Sequence, residues 1–176
     1  MARATRRVIL IGPESTGKTT LAAELAAAFD APWTPESARL IAESTSEPLS
    51  AATIEPIARR CIALEDAALA AHPPLLIRDT DLVSTVVYAR HYYGHCPAWI
   101  EAEARARLGD LYLLCAPDLP WTADGIRDRR DSRDALFADF QRELERLGAH
   151  VVVIRGTGAA RREAAVNALQ AEGWRR

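Results

Sequence analysis

The sequence of 176 residues is poor in lysine, cysteine and aromatic side chains, and it contains no long hydrophobic run. A membrane-spanning helix is therefore excluded, because such a helix needs about 20 consecutive apolar residues. The three cysteines (Cys61, Cys96 and Cys115) are odd in number and widely spaced, which argues against a disulfide framework and favours a reducing, cytoplasmic location. The net charge of −2 leaves no basic excess, so neither nucleic acid nor a membrane surface is expected as a partner.

Lysine occurs only once. Of the 22 basic residues, 21 are arginine, and Lys18 is the single lysine. A compact ammonium is thus kept at one position of a chain that otherwise uses the broader guanidinium, which indicates a special role for Lys18. The rest of the composition, 49% hydrophobic and 26% charged, is that of one globular domain, which we expect to span residues 1–176.

Lys18 lies within a full match to the phosphate-loop pattern G-x-x-x-x-G-K-[ST], between an apolar strand and an amphipathic helix. Gly12 and Gly17 permit the turns and the close approach that such a loop needs. Backbone N–H groups and the helix N-terminus bind phosphate oxygens, Lys18 contacts the β- and γ-phosphates, and the Thr19 hydroxyl binds magnesium. We therefore predict ATP and Mg²⁺ as cofactors. The predicted ATP-binding residues are Gly12, Pro13, Glu14, Ser15, Thr16, Gly17, Lys18, Thr19 and Thr20.

Four apolar runs predict strands over residues 8–11, 75–77, 111–115 and 151–154, and a weaker fifth strand is predicted over residues 32–34. Strands that are apolar at every position are typical of parallel sheets covered by helices on both faces. The intervening segments have helical periodicity. The pattern therefore predicts an α/β, doubly wound, five-stranded parallel sheet of the P-loop NTPase or kinase type.

Glycine and proline predict where several helices begin and end. Pro97 suits the first turn of a helix that runs to about Leu108, and another helix is expected to begin near Asp134. Gly109 and Gly148 follow predicted helices, where we expect them to form left-handed caps.

Charged side chains follow the predicted strands, at the edge where ligands bind in an open parallel sheet. Glu36 and Arg39 come after the weak strand, and Asp79 and Asp81 come after the strand that follows it in the chain. We predict that both aspartates are catalytic, acting on magnesium and on an acceptor hydroxyl, with Asp79 as a metal ligand. The sequence does not apportion these two roles, and helix capping is the alternative reading of the pair.

Residues 127–134 have the sequence Arg-Asp-Arg-Arg-Asp-Ser-Arg-Asp, which contains no apolar anchor. They are either a solvated loop that leads into a helix or a mobile lid, in which Arg127 and Arg133 close over the transferring phosphoryl group and exclude water. Aromatic residues clustered near position 90 suit either core packing or the stacking of a flat heterocycle. The candidate substrate-binding residues are Glu36, Arg39, Tyr88, Tyr92, Trp99, Trp121 and Asp124.

These motifs together resemble the ribosylnicotinamide kinase domain of NadR-type proteins and their stand-alone relatives. The resemblance covers the chain from Val8 to about Ile154, and it rests on the phosphate loop, on Pro-Glu-Ser-Ala-Arg at 35–39, on Asp-Thr-Asp at 79–81 and on Pro-Trp-Thr-Ala-Asp-Gly-Ile-Arg at 120–127. It implies a P-loop kinase that phosphorylates the 5′-hydroxyl of nicotinamide riboside with ATP. The DNA-binding and adenylyltransferase domains of the multidomain members are not expected in this chain.

The predicted function is thus an ATP-dependent kinase that makes nicotinamide mononucleotide from a small-molecule nucleoside. A kinase for another nucleoside or nucleotide and a regulatory P-loop NTPase are the alternatives. A G-protein signature of the type Asn-Lys-x-Asp is excluded, because the single lysine lies in the phosphate loop. The sequence carries no signal for the oligomeric state.

Overall fold

The computed structural model describes residues 4–122 and 132–175, in which helices cover both faces of one sheet. The strands of that part of the chain are β1 (Arg6–Ile11), β2 (Trp33–Thr34), β3 (Leu75–Asp79), β4 (Leu111–Cys115) and β5 (Val151–Ile154). Its α-helices are α1 (Lys18–Ala28), α2 (Ser37–Ser44), α3 (Ile54–Leu69), α4 (Leu82–Tyr93), α5 (Ala98–Ala106), α6 (Arg133–Leu147) and α7 (Gly158–Ala171).

The five strands are parallel and lie in the order β2-β3-β1-β4-β5. Strand β1 is central, with Leu10 opposite Asp79 of β3 on one side and Leu113 of β4 on the other. Because all carboxyl ends meet at one edge, the loop after β1 lies beside the ends of β3 and β4. The predicted doubly wound sheet is confirmed.

Alternate residues of the central strands face two separate hydrophobic cores. Ile9 and Tyr112 pack against α3, α4, α5 and α6, whereas Leu10 and Leu113 pack against α1 and α7. Both faces are buried, so β3 and β4 are apolar or sequestered at every position, as the sequence pattern predicted.

Two sequence predictions differ from the structure in detail. The run that forms β5 is apolar at every position, the pattern expected of a strand covered on both faces, but β5 is an edge strand and Val153 is 37% exposed. The prediction of a left-handed cap at Gly109 is wrong, because α5 ends at Ala106 and Gly109 is absent from the positive-φ residues of the described chain. Instead, a Cβ at position 109 would lie 2.5 Å from Cγ1 of Ile9. Glycine is required there for close packing, whereas Gly148 does cap α6 with a φ of 67°.

A buried ion pair supports strand β3 beneath its functional end. Arg78 donates to Glu65 of α3 at 3.1 Å, and both side chains are almost fully buried. Arg78 also donates to the carbonyl oxygen of Cys61 at 3.2 Å, and Arg7 donates to Glu65 at 2.8 Å. A buried arginine keeps its charge only where such acceptors surround it, so this pair fixes α3 to β3 next to Asp79.

Candidate active site

The phosphate loop connects β1 to α1 at the centre of the sheet. Gly12 has a φ of 139°, and a Cβ there would lie 2.7 Å from the carbonyl oxygen of Cys115. Gly17 adopts a left-handed conformation with φ 76° at the start of α1. Both glycines are therefore needed by the backbone itself, Gly12 for contact with β4 and Gly17 for the turn into the helix.

Lys18 lies within the loop, and its side chain is 7% exposed. Its Nζ donates to the carbonyl oxygen of Pro13 at 2.7 Å, and Oγ1 of Thr16 donates to the same oxygen at 2.8 Å. The loop thus folds around the ammonium group, which is held beside the backbone N–H groups that would bind phosphate.

Thr19 and Asp79 come into direct contact. The Thr19 hydroxyl donates to Oδ2 of Asp79 at 2.5 Å, while Oδ1 is buried and has no hydrogen-bond partner among the described residues. Burial, together with the negative charge of Glu36, raises the pKa of Asp79 to about 6, although Lys18, Thr19 and Arg39 act in the opposite direction. Desolvation and the repulsion from Glu36 thus outweigh the nearby positive charges, so the ionised form of Asp79 is disfavoured.

The donor atoms at this point fit a magnesium ion. A hydroxyl and a carboxylate are the hard oxygen ligands that Mg²⁺ takes, and Mg²⁺ ordinarily keeps one or two protein ligands beside water and substrate phosphates. In residues 4–122 and 132–175, no group of three or more His, Cys, Asp and Glu side chains is arranged to hold a metal. The pair Thr19 and Asp79, with its unpartnered Oδ1, suits a metal that arrives with a nucleotide.

Asp81 occupies a different environment from Asp79. Its Oδ1 accepts from the backbone N–H of Val83 at 3.0 Å and caps α4, and its Oδ2 accepts from the Tyr112 hydroxyl at 2.6 Å. The left-handed residue between the two aspartates, Thr80 with φ 66°, turns the chain between them. Burial raises the pKa of Asp81. Asp81 therefore caps α4 through one oxygen, which was the alternative interpretation, and its other oxygen is held by Tyr112. Of the two aspartates, it is Asp79 that contacts Thr19.

A cavity of about 460 Å³ opens over the phosphate loop. Its wall includes Glu36 and Arg39, which lie at the start of α2 after the edge strand β2. The loop after β4 closes the opposite side through Leu119, Pro120 and Thr122. The structure thus brings seven of the nine predicted ATP-binding residues, those at positions 14–20, together with Glu36 and Arg39 in one cavity. Gly12 and Pro13 do not line it.

A second cavity, of about 430 Å³, adjoins the first. Gly17, Thr20 and Leu119 line both cavities, and Gly158 and Arg161 of α7 complete the second one. Two spaces of ligand size therefore meet at the end of the phosphate loop.

The predicted aromatic residues are spread over different places. Tyr88 is buried in α4, where its hydroxyl donates to Oε2 of Glu14 at 3.2 Å, and it stacks on Tyr92 with ring centroids 5.8 Å apart. Trp99 lies on α5 beneath the guanidinium of Arg59 at 5.0 Å and lines neither cavity. Trp121 is partly buried directly after Pro120, and its Nε1 has no partner among the described residues.

Arg133 begins α6 and is buried against the loops of the site. It donates to the carbonyl oxygens of Leu119 at 2.9 Å and Ser15 at 3.4 Å. Asp124, Arg127 and most of the predicted lid lie outside the described residues.

Arg161 is a residue of this region that the sequence did not single out. From α7 it donates to the carbonyl oxygens of Thr16 and Ala116, each at 2.9 Å, and to that of Gly156 at 2.8 Å. It ties the phosphate loop to the ends of β4 and β5. The available signal was weak, because Arg161 is one of 21 arginines and lies inside a helix rather than at a strand end.

Sequence comparison assigns the family. The family described as AAA domain matches residues 7–162. The chain belongs to this family. Two curated relatives, the trifunctional NAD biosynthesis/regulator proteins NadR of Salmonella typhimurium and Escherichia coli, are each 29% identical over 133 residues, or 73% of this chain. The chain spans about a third (32%) of the length of these relatives.

Solved structures confirm the fold. A NadR protein in complex with NR superposes with a TM-score of 0.79 at 24% identity, over 95% of this chain and 51% of that one. A NadR protein in complex with NAD and AMP-PNP gives a TM-score of 0.77 at 23% identity, over 95% of this chain and 49% of that one. Thymidylate kinase from Ehrlichia chaffeensis gives 0.67 at 13% identity over 97% and 100% of the two chains. The fold is that of a P-loop kinase, and the similarity to NadR that the motifs predicted is confirmed.

No helix in the described part of the chain is both long and apolar enough to cross a membrane.

Proposed function

We propose that this chain is an ATP- and magnesium-dependent kinase that transfers the γ-phosphoryl group to the 5′-hydroxyl of nicotinamide riboside, giving nicotinamide mononucleotide. The proposal includes a single catalytic domain over residues 1–176 and a cytoplasmic location. It is supported by the similarity to NadR proteins, for which structures have been solved in complex with NR and in complex with NAD and AMP-PNP.

One observation carries the proposed chemistry, namely the 2.5 Å contact between Thr19 and Asp79 beside Lys18. A hydroxyl from the first turn of α1 and a carboxylate from the end of β3 thereby form a pair, at the point where a β,γ-phosphate group would lie. When bound there, Mg²⁺ neutralises charge that develops on the phosphate oxygens. Thr19 and Asp79 would hold it, and Lys18 would leave the carbonyl oxygen of Pro13 to contact the phosphates.

The two cavities suggest how the substrates are arranged. The triphosphate lies on the phosphate loop, the adenine base occupies the cavity beside Gly158, and the acceptor enters the cavity beside Glu36 and Arg39. Phosphoryl transfer has a loose transition state, so positioning and charge stabilisation supply most of the acceleration and a strong base is not required. This fits the observation that both oxygens of Asp81 already accept hydrogen bonds, one from the backbone of α4 and one from the Tyr112 hydroxyl.

The remaining predicted residues act around this centre. Arg133 lies against the phosphate loop and would hold the loop after β4 in place over the transferring group. Arg127 and Asp124 belong to the proposed lid. Tyr88, Tyr92 and Trp121 are the candidate rings for stacking the cationic pyridinium, an interaction worth roughly 0.5–2 kcal/mol, whereas Trp99 is bound to Arg59 instead.

An acceptor screen that measures ADP release tests the proposal. Nicotinamide riboside is expected to accelerate ADP release strongly, with a larger kcat/KM than uridine, cytidine or thymidine, and mass spectrometry should show its monophosphate. Lys18→Ala is the matched control, because it should abolish release with every acceptor. Equal or better kcat/KM with another nucleoside would replace the substrate assignment, and slow hydrolysis that no small molecule accelerates would favour a regulatory NTPase.

A further inference from the structure

Glu14 is a buried acidic residue inside the phosphate loop. Its side chain is 2% exposed, and its Oε2 accepts a hydrogen bond from the Tyr88 hydroxyl at 3.2 Å. Its Oε1 is buried and has no hydrogen-bond partner among the described residues. The backbone of Glu14 belongs to the phosphate-binding turn, but its side chain has a different task.

A carboxylate at this position is costly in the absence of substrate. A buried acceptor without a donor loses its hydration, and the loss is larger for a charged group. The group also lies beside the site proposed for a triphosphate, whose negative charge it would repel. The hydrogen bond of the Lys18 ammonium goes to the carbonyl oxygen of Pro13 and not to Oε1 of Glu14. We therefore expect a bound molecule to supply the hydrogen-bond donor that Oε1 lacks.

The location of the pair indicates which substrate brings that donor. Glu14 lines the cavity that contains Glu36 and Arg39, and Tyr88 lines the adjoining crevice with Glu36, Thr80 and Ser84. Glu14 does not line the second cavity, next to Gly158, where the adenine base is proposed to bind. The Glu14–Tyr88 pair thus belongs to the acceptor side of the phosphate loop.

We infer that Glu14 binds the acceptor, with Oε1 accepting a hydrogen bond from a ribose hydroxyl of the nucleoside. This inference rests on the proposed function and deepens it. The reacting 5′-hydroxyl must lie in line with the γ-phosphate, so the ribose is the part of the acceptor that lies against the phosphate loop. Its 2′- and 3′-hydroxyls are then the nearest donors. Tyr88 is a positioning residue, because its hydroxyl holds Oε2 and directs the other oxygen. Glu14 would thus select acceptors that carry the matching hydroxyl.

The test crosses variants of Glu14 with acceptors that lack one hydroxyl. Nicotinamide riboside and its 2′-deoxy and 3′-deoxy analogues are assayed at saturating ATP with wild type, Glu14→Met and Glu14→Gln. Glu14→Met keeps a side chain of similar length without acceptor oxygens, and it should lower kcat/KM for the riboside by about 10- to 100-fold, as expected for a hydrogen bond to a charged group. It should change kcat/KM less than threefold for the analogue that lacks the partner hydroxyl. Glu14→Gln retains one acceptor oxygen, so its kcat/KM for the riboside should fall less than that of Glu14→Met.

Two further measurements distinguish acceptor binding from a structural role of the loop. The affinity for ATP, measured by calorimetry, should fall less than threefold in Glu14→Met, and Glu163→Gln, which changes an exposed carboxylate on α7, should match wild type throughout. The inference is overturned if Glu14→Met lowers kcat/KM equally for all three acceptors. It is also overturned if the affinity for ATP falls by the same factor as kcat/KM for the riboside.

Failure of the inference can be told from failure of the proposed function. If wild type does not phosphorylate nicotinamide riboside, the substrate assignment is wrong. The same enzyme variants are then assayed with the nucleoside that the acceptor screen identifies, in its riboside and deoxyriboside forms. A ribose preference that disappears in Glu14→Met supports the role of Glu14. A preference that is unchanged, or the absence of any nucleoside acceptor, overturns it.

Discussion

Replacing Asp79 by asparagine is expected to stabilise the nucleotide-free protein at neutral pH while removing most of its phosphoryl transfer. Burial and the charge of Glu36 raise the pKa of the Asp79 carboxyl from 3.8 to about 6. Since a tenfold change in proton affinity is worth about 1.4 kcal/mol, keeping the carboxylate ionised in the folded state costs at most about 3 kcal/mol above pH 6. Asparagine removes this cost and retains an oxygen that can accept from Thr19.

The sign of the effect depends on pH. The folded protein binds the Asp79 proton more tightly than the unfolded chain does, so this group favours folding at low pH, and its contribution is lost as the pH rises through about 6. Wild type and Asp79→Asn should therefore be equally stable below pH 3.8, and the stability advantage of the variant should be small near pH 4 and grow to its full size by pH 7.5.

Urea unfolding without nucleotide and Mg²⁺, at pH 4.5, 5.5 and 7.5, measures this difference, with Glu47→Gln as a control at an exposed carboxylate. In the kinase assay, kcat of Asp79→Asn should fall on the order of 10²-fold or more. A variant that is less stable than wild type at pH 7.5, or a gap that is independent of pH, would refute the burial argument. A kcat within threefold of wild type would remove Asp79 from the catalytic machinery.

Three further substitutions test the loop and its support. Lys18→Ala should lower kcat by on the order of 10²–10³-fold with little change in the thermal unfolding midpoint, and near-normal turnover would contradict the assigned role of the loop. Gly12→Ala should destabilise the fold by at least about 1–3 kcal/mol in urea unfolding, because its Cβ would lie 2.7 Å from the carbonyl oxygen of Cys115; a neutral effect would show that the loop can move away. Glu65→Gln should cost about 3–5 kcal/mol, since it leaves Arg78 buried without its carboxylate, and an unchanged unfolding midpoint would show that this pair does not hold β3.

The sheet could be predicted because the sequence patterns that identify its strands are local. Continuous apolar runs identify β3 and β4, and the glycine-rich match between an apolar run and a helix identifies the phosphate loop. The strand ends also predicted that Asp79 would lie near Thr19, because parallel strands end at one edge. The structure places these two side chains in contact, while their metal-binding role stays a prediction.

Contacts between distant segments could not be read from the sequence. Asp81 follows a strand as Asp79 does, and only the Tyr112 hydroxyl, contributed by β4, shows that its second oxygen is occupied. In the sequence, Gly109 follows a predicted helix and so resembles a helix cap. In the structure, glycine is required there because Ile9, a residue 100 positions away, packs against its Cα. Arg161 donates to carbonyl oxygens of three segments. Because every residue has a backbone carbonyl, the residue types at those positions do not reveal that they accept these bonds.

The single lysine makes the chain chemically simple in a practical sense. Acylating reagents that modify side-chain amines have one target, Lys18, and that target is enclosed by the phosphate loop and bonded to Pro13. The surface carries its positive charge as guanidinium, which stays protonated and does not react with such reagents. Labelling of one side chain therefore reports how often the loop opens, and protection by a nucleotide reports occupancy of the site. For the same reason, attachment of this protein to a support through side-chain amines would consume the residue on which the proposed activity depends.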